Sequence, residues 1–123
     1  MNATHPPASF SADLRGCNAL AMLTPREVTA LFMAALDRAG ARIVNAVSHP
    51  FPDTGLTCAL ILRESHAVLH TWPESGTAHI DIFSCTAQLR AVEAIQQLGQ
   101  TFGAQSLSIQ ETARADGHAD LRS

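Results

Sequence analysis

Residues 56–83 read LTCALILRESHAVLHTWPESGTAHIDIF, and this run decides the fold. In its last part the apolar residues Ala78, Ile80 and Ile82 alternate with polar ones, which is the period of a strand with one buried face. Short turn-forming stretches separate the β-type segments, and short connections favour antiparallel pairing. The run therefore predicts three neighbouring antiparallel strands, at residues 56–62, 67–71 and 77–83.

Two helices are predicted outside this run. Thr24 and Glu27 form a capping box around Pro25, and apolar residues at steps of three and four follow as far as Gly40. A second helix is predicted over about residues 87–102, with the apolar stripe Leu89, Val92, Ile95, Leu98 and Phe102. Further strands are predicted at residues 10–14, 41–47 and 105–110. The sequence thus predicts an α+β fold, a two-layer α/β sandwich in which two helices cover a mainly antiparallel sheet.

The composition narrows the class of protein. A chain of 123 residues with 46% hydrophobic residues fits one small domain, predicted over residues 1–112, with a flexible tail at residues 113–123. Its small size makes a homodimer expected. The net charge of −3 and the scattered arginines predict no nucleic-acid partner. Without a leader or an apolar run of about 20 residues, a cytoplasmic protein with no membrane contact is expected. Three cysteines without a C-x-x-C pair predict neither a metal site nor a disulfide framework.

The tripeptide Glu64-Ser65-His66 falls between the first two of the three strands. A serine hydroxyl is a weak nucleophile unless geometry and a base assist it. At a strained turn, Ser65 could attack the carbonyl of Glu64, and elimination followed by hydrolysis would leave a pyruvoyl group at position 65. The chain contains no lysine, which excludes a lysine-bound pyridoxal phosphate and fits a different carbonyl as electron sink. Taken alone, such a tripeptide is more typical of an exposed turn.

A longer stretch of sequence around this tripeptide favours the chemical interpretation over the exposed turn. Residues 64–85, ESHAVLHTWPESGTAHIDIFSC, closely resemble the processing and catalytic segment of the small prokaryotic pyruvoyl-dependent S-adenosylmethionine decarboxylases. The resemblance runs from about residue 14 to residue 110 and includes Gly16-Cys17, Gly40-Ala41, His49, Phe51, Gly55 and His70-Thr-Trp-Pro-Glu74. It implies a proenzyme that cleaves itself between Glu64 and Ser65. It also implies decarboxylation of S-adenosylmethionine, for spermidine synthesis, through a Schiff base with the substrate amine.

The resemblance also implies roles for the catalytic residues. Ser65 would be the precursor of the covalent pyruvoyl cofactor, and Glu64 would carry the attacked carbonyl. His70 would promote processing by taking the α-proton, since imidazole is a suitable base. Cys85 would return a proton to the substrate carbon, since a thiol is mostly protonated at neutral pH. Without the resemblance, a buried thiol and a strand histidine held by backbone would be the simpler interpretations.

Substrate binding is implied at two further positions. In similar enzymes an aromatic residue at the position of Phe51 stacks on adenine, and a glutamate at the position of Glu74 holds the ribose hydroxyls. From position alone, Phe51 could equally anchor a loop and Glu74 could be a solvated turn residue. The chain departs from the family where Thr57-Cys58 replaces Ser-Gly, and where Ser75 replaces an aromatic residue. Thr57 keeps a hydroxyl that could assist processing.

These departures leave three functions to compare. The first is decarboxylation of S-adenosylmethionine, an amino-acid-type small molecule, by a homodimer of processed protomers. The second keeps the pyruvoyl chemistry but acts on L-ornithine or L-arginine. The third is an unprocessed homologue without enzymatic activity. Phe51 and Glu74 together favour the adenosyl substrate.

Overall fold

The computed structural model describes residues 6–52 and 54–116. Within these ranges the chain forms six strands, two α-helices and one short 3-10 helix at Leu20–Met22. In chain order the elements are β1 (Ala8–Arg15), α1 (Pro25–Arg38), β2 (Ile43–Pro50), β3 (Leu56–Leu62), β4 (Ser65–Trp72), β5 (Thr77–Ser84), α2 (Ala91–Phe102) and β6 (Ser106–Ala113). All six strands belong to one sheet.

The sheet has the strand order β2-β3-β4-β5-β1-β6, and every neighbouring pair is antiparallel. Strands β2 to β5 follow one another as a meander, because short turns can join antiparallel neighbours directly. Strand β1 then lies between β5 and β6. With two helices against one sheet, the predicted two-layer α+β sandwich is confirmed.

The core lies between the helices and one face of the sheet. On β5 the predicted residues Ala78, Ile80 and Ile82 are buried, and their polar neighbours point the other way. The largest fully buried side chains of the two α-helices are Phe32, Leu36, Ile95, Leu98 and Phe102. The capping box of α1 is present: Glu27 N–H donates to Thr24 Oγ1 at 3.1 Å, and Thr24 N–H donates to Glu27 Oε1 at 2.8 Å.

Helix α2 begins at Ala91, four residues later than the predicted start at residue 87. The segment before it is held by the end of α1 instead: Arg90 N–H donates to Ala39 O at 2.9 Å, and Arg90 Nη2 donates to Arg38 O at 2.9 Å. These tertiary bonds replace a local cap. The predicted apolar stripe was therefore partly wrong, because Leu89 is buried ahead of the helix and Val92 is exposed.

The C-terminal strand is longer than predicted. Ala113 still pairs with Ala8, and Arg114 N–H donates to Pro7 O at 2.9 Å. The remainder of the predicted tail, residues 117–123, lies outside the described residues. Strand β2 is also longer than predicted and extends to Pro50.

Within residues 6–52 and 54–116 no helix covers the other face of the sheet, and we call it the open face. Its character changes across the sheet, because paired residues of neighbouring strands point to the same side. Over β2 to β5 it is mixed: the apolar residues Val47, Ala59, Ile61, Val68, Trp72 and Phe83 alternate with the polar residues Asn45, His49, Thr57, His66, His70, Thr77, His79 and Asp81. Over β1 and β6 it presents the polar residues Ser9, Ser11, Asp13, Ser108, Gln110 and Thr112. Among the described residues, no helix has the length and apolar character needed to cross a membrane.

Candidate active site

The turn between β3 and β4 places Ser65 at the start of a strand, directly after a strained residue. Leu62 pairs with Ser65, so the turn itself consists of Arg63 and Glu64. Glu64 has φ +59°, in the left-handed region that non-glycine residues rarely adopt. Such backbone strain is typical of functional sites. The predicted scissile peptide therefore lies at an exposed, strained hairpin turn.

Cys85 lies against this turn, one residue beyond the end of β5. Its thiol donates to the carbonyl oxygen of Glu64, with 2.7 Å between Sγ and O. Ser65 Oγ lies 3.9 Å from the same Sγ. The structure thus brings together three residues that the sequence predicted, and we call Glu64, Ser65 and Cys85 the cleavage cluster.

A cavity of about 550 Å³ opens beside the cleavage cluster. Three chain segments line it: the α1–β2 connection, the β3–β4 turn and the connection that precedes α2. The cavity borders both Glu64 and Ser65, so both sides of the scissile peptide face it. A small molecule could therefore reach position 65 from this side.

His70 lies away from the cleavage cluster of its own chain. It follows Ser65 by five residues on β4, and an odd spacing places the two side chains on opposite faces of the sheet. At about 3.3 Å per residue they are roughly 16 Å apart along the strand. His70 points to the open face, where its Nδ1 lies 2.8 Å from Thr57 Oγ1. Hydrogen bonding to Thr57 orients the imidazole ring.

Phe51 and Glu74 lie at the far end of the same hairpin. The β3–β4 ladder extends from Leu62–Ser65 to Leu56–Thr71, six steps or roughly 20 Å, and both residues lie beyond that far end. Phe51 is 46% exposed, and its ring contacts His49 edge-on, with 5.2 Å between the ring centroids. Glu74 is exposed in the β4–β5 turn.

His49 pairs with Thr57, which pairs with His70, so one row across the open face links these groups. We call Thr57, His70, His49, Phe51 and Glu74 the distal cluster. The six predicted site residues are thus divided between two clusters. Glu64, Ser65 and Cys85 form one cluster, and His70, Phe51 and Glu74 belong to the other.

Sequence reasoning missed this division, although the signal was present. Ser65 and His70 differ by an odd number of residues within one predicted strand, and the period of two already assigns them to opposite faces. The cavity residues Arg42, Thr86 and Gln88 were also missed. They come from connections whose spatial neighbours cannot be read from local patterns.

The remaining cysteines differ from Cys85 in environment. Cys17 and Cys58 are buried in the core, whereas Cys85 is half-buried. Burial raises the pKa of the Cys17 thiol. Burial also raises the pKa of the Cys58 thiol, partly opposed by a hydrogen bond with the Thr29 side chain. Both core thiols are therefore poor candidates for chemistry.

Comparison with known proteins identifies the family of the chain. A family model described as S-adenosylmethionine decarboxylase matches residues 8–115. The S-adenosylmethionine decarboxylase proenzyme of Acidithiobacillus ferrooxidans is 34% identical over 110 residues, which cover 89% of this chain and 81% of that protein. The proenzyme of Carboxydothermus hydrogenoformans is 32% identical over 103 residues, 84% of this chain and 81% of that protein.

A solved structure shares the fold. The crystal structure of the adenosylmethionine decarboxylase from Aquifex aeolicus has a TM-score of 0.77 and 20% identity, and the match covers 96% of this chain and 99% of that chain. The fold class is confirmed by this likeness. Because the family model spans almost the whole described domain, the chain belongs to the S-adenosylmethionine decarboxylase family.

Proposed function

We propose that the chain is a self-processing pyruvoyl-dependent decarboxylase of S-adenosylmethionine, which supplies the decarboxylated product for spermidine synthesis. The observation that carries the proposal is the hydrogen bond from Cys85 Sγ to the carbonyl oxygen of Glu64, at 2.7 Å. A donor on this oxygen polarises the carbonyl that Ser65 must attack. It would also stabilise the negative charge that develops on that oxygen during the attack.

Processing is assigned to the residues of the cleavage cluster. Ser65 Oγ attacks the carbonyl carbon of Glu64, and the peptide nitrogen leaves, so that an ester replaces the amide. Loss of the α-proton of residue 65 then expels the carboxylate of Glu64. Hydrolysis of the dehydroalanine left at position 65 then gives the pyruvoyl group and releases ammonia. The left-handed backbone of Glu64 favours the initial attack, because breaking the peptide bond relieves its strain.

The same residues fit a pyruvoyl group at position 65. Position 65 is the first residue of β4 and borders the cavity, so a carbonyl there would be fixed by the sheet and open to a small molecule. The pyruvoyl group would supply a carbonyl that binds the substrate amine and accepts the electron pair left as carbon dioxide departs. Cys85, 3.9 Å from Ser65 Oγ, is close enough to hold the proton that replaces the carboxyl group.

The distal cluster completes this site only if a second chain supplies it. Within one chain His70 lies roughly 16 Å from Ser65, and proton transfer needs contact at about 3 Å. Ser65 is the first residue of β4, at one end of the sheet, so in a symmetric dimer the distal cluster of each chain can reach position 65 of its partner around that end. His70 would then take the α-proton at the partner's position 65. Phe51 and Glu74 would hold the adenosyl part of the substrate.

The open face supports a homodimer of processed protomers. Val47, Ile61 and Trp72 are 63%, 54% and 40% exposed, and all three lie on the β2–β5 half of the open face. Exposed apolar side chains interspersed with polar ones, here His49, Thr57 and His70, are typical of a protein interface. The polar half over β1 and β6 does not share this character. The β2–β5 half therefore fits burial against a second copy of the chain.

The proposed compartment is the cytoplasm. The three cysteines of the described domain are free thiols, which fits a reducing environment. An amino-acid-type metabolite is the proposed partner.

The proposal is tested by intact mass and by substrate turnover on one preparation. The wild-type protein should consist of fragments 1–64 and 65–123, and Ser65→Ala should stay whole. Ser106→Ala is the matched control, because Ser106 also begins a strand and lies outside both clusters. Carbon dioxide release should occur with S-adenosylmethionine. An uncleaved wild-type chain, or turnover of L-ornithine or L-arginine alone, would contradict the proposal.

A further inference from the structure

The cavity beside the scissile peptide has the chemistry of an anion site. Arg42, Arg63, Thr86 and Gln88 contribute side chains that can donate hydrogen bonds to it. Of the described residues that line it, Glu64, at the proposed cleavage position, is the sole acid. Among residues 6–52 and 54–116, the guanidinium groups of Arg42 and Arg63 form no ion pair. Two positive charges thus border a cavity with no fixed counter-charge other than Glu64.

Self-cleavage creates an unbalanced negative charge at this place. The reaction consumes water, breaks the bond between Glu64 C and Ser65 N, and releases that nitrogen as ammonia. Glu64 therefore gains an α-carboxylate, while the neutral carbonyl at position 65 brings no ammonium group. Ordinary proteolysis would form both charges together. After cleavage two carboxylates of Glu64 face two arginines, and the local charges balance.

We propose that Arg42 and Arg63 bind the α-carboxylate of Glu64 that cleavage creates, and so hold the new chain end away from position 65. This inference rests on the proposed function, because that carboxylate exists only after processing. Arg63 N–H donates to Arg42 O at 3.0 Å, so the backbone holds the two residues side by side. Guanidinium groups suit a carboxylate, because they can bind both of its oxygens.

Two other features favour this occupant. Cutting the chain removes the turn that holds Glu64 at φ +59°, and the freed end already borders the cavity. The carboxylate remains attached to β3, so its local concentration is high without any binding cost from solution. The substrate carboxylate is the poorer occupant. Arginines holding it would stabilise the ground state over the transition state in which carbon dioxide leaves.

The test is the access of a protease to the new chain end. Processed wild-type protein and the Arg42→Gln variant are incubated with a carboxypeptidase, and intact mass follows the loss of Glu64 from the 1–64 fragment. We expect the variant to lose Glu64 about fivefold to tenfold faster, the effect of one charge-assisted contact at a partly exposed site. Arg42→Lys should lie between the two. Arg26→Gln, an exposed arginine on α1, is the matched control and should behave as wild type.

Arg63→Gln is tested in the same way, with one correction. Because position 63 is next to the cleaved end, free peptides of residues 58–64 with arginine or glutamine at position 63 measure the preference of the protease. A second measurement is thermal unfolding. Arg42→Gln should lower the midpoint temperature of unfolding of the cleaved protein by about 3 °C. It should leave that of the uncleaved Ser65→Ala chain unchanged.

Each other outcome overturns the inference. Equal trimming rates, or equal midpoint shifts in cleaved and uncleaved chains, show that the arginines do not bind the new carboxylate. Failure of Arg42→Gln to cleave shows that this arginine acts on the intact peptide instead. Failure of the wild-type protein to cleave refutes the proposed function as well, and intact mass alone distinguishes that case from the others.

Discussion

Two inactive variants should restore each other if the site is shared between chains. Ser65→Ala lacks the cleavable residue, and His70→Ala lacks the base of the distal cluster. In a mixed dimer, Ser65 of one chain faces His70 of the other, and one complete site forms. The second site of the same dimer carries both substitutions. Co-expression should therefore recover function that neither variant shows alone.

The magnitude follows from the geometry and from random pairing. Since His70 lies on the opposite face roughly 16 Å from Ser65 of its own chain, each chain relies on its partner. At equal expression about half of the dimers are mixed, and each has one complete site of two. Turnover should reach about one quarter of the wild-type value. About half of the His70→Ala chains should be cleaved.

Intact mass and carbon dioxide release measure the two quantities. A tag on one chain allows the mixed dimer to be purified, in which the recovered fraction should rise to about one half. The control replaces Ser65→Ala by the double variant Ser65→Ala/His70→Ala, which cannot supply a base. The shared site is refuted if the mixed dimer forms but neither cleaves nor turns over. It is also refuted if the control dimer recovers equally.

Three further predictions follow from single residues. Native protein should react with a thiol reagent at Cys85 alone, because Cys17 and Cys58 are buried. Mass spectrometry should show one label before unfolding and three after it, and labelling of Cys58 in the native protein would contradict the prediction. Burial raises the pKa of both core thiols, so as the pH rises these thiols lose their protons in the unfolded chain before they do so in the folded chain. The free energy of unfolding, measured in urea, should therefore be constant below about pH 8.5 and fall above it. Cys58→Ala should flatten that decline, and an unchanged slope argues against burial as its cause. Glu64→Gly in the Ser65→Ala background should raise the free energy of unfolding by about 1 kcal/mol, because glycine adopts φ +59° without strain. A lower free energy of unfolding, measured in urea, would show that the turn is not strained.

The fold was predictable because local patterns repeat along the chain. The alternation around Ile80, the capping box at Thr24 and the short turns each fix an element within a few residues. The start of α2 was not predictable, because Arg90 bonds to carbonyl groups at the end of α1. Its partners lie about fifty residues away in sequence, as the separation from Arg38 shows. Local propensity contains no information about such contacts.

The sequence nominated members of the candidate site, whose roles stay predictions, but it did not give their arrangement. Resemblance to the family pointed to Ser65, His70 and Cys85, but a sequence motif does not give the distances between its residues in space. Only the sheet shows that Cys85 Sγ reaches Glu64 O while His70 faces the other side. The cavity arginines were not predicted for a related reason: Arg42 and Arg63 become neighbours through a backbone hydrogen bond just beyond the paired ends of β2 and β3.

The division of the site has a consequence for when cleavage occurs. Cys85 and Ser65 are in place within a single folded chain once β4 and β5 pair, so the proposed nucleophile and the donor to the Glu64 carbonyl need no partner chain. The proposed base is not, because the strand period keeps His70 on the open face. Under the proposed function, a monomer would therefore hold a strained, polarised peptide that it cannot cleave. If dimerisation supplies His70, the chain is cut only after the surface that binds the substrate has been assembled. The rate of processing should then depend on protein concentration below the dissociation constant of the dimer and become independent of it above.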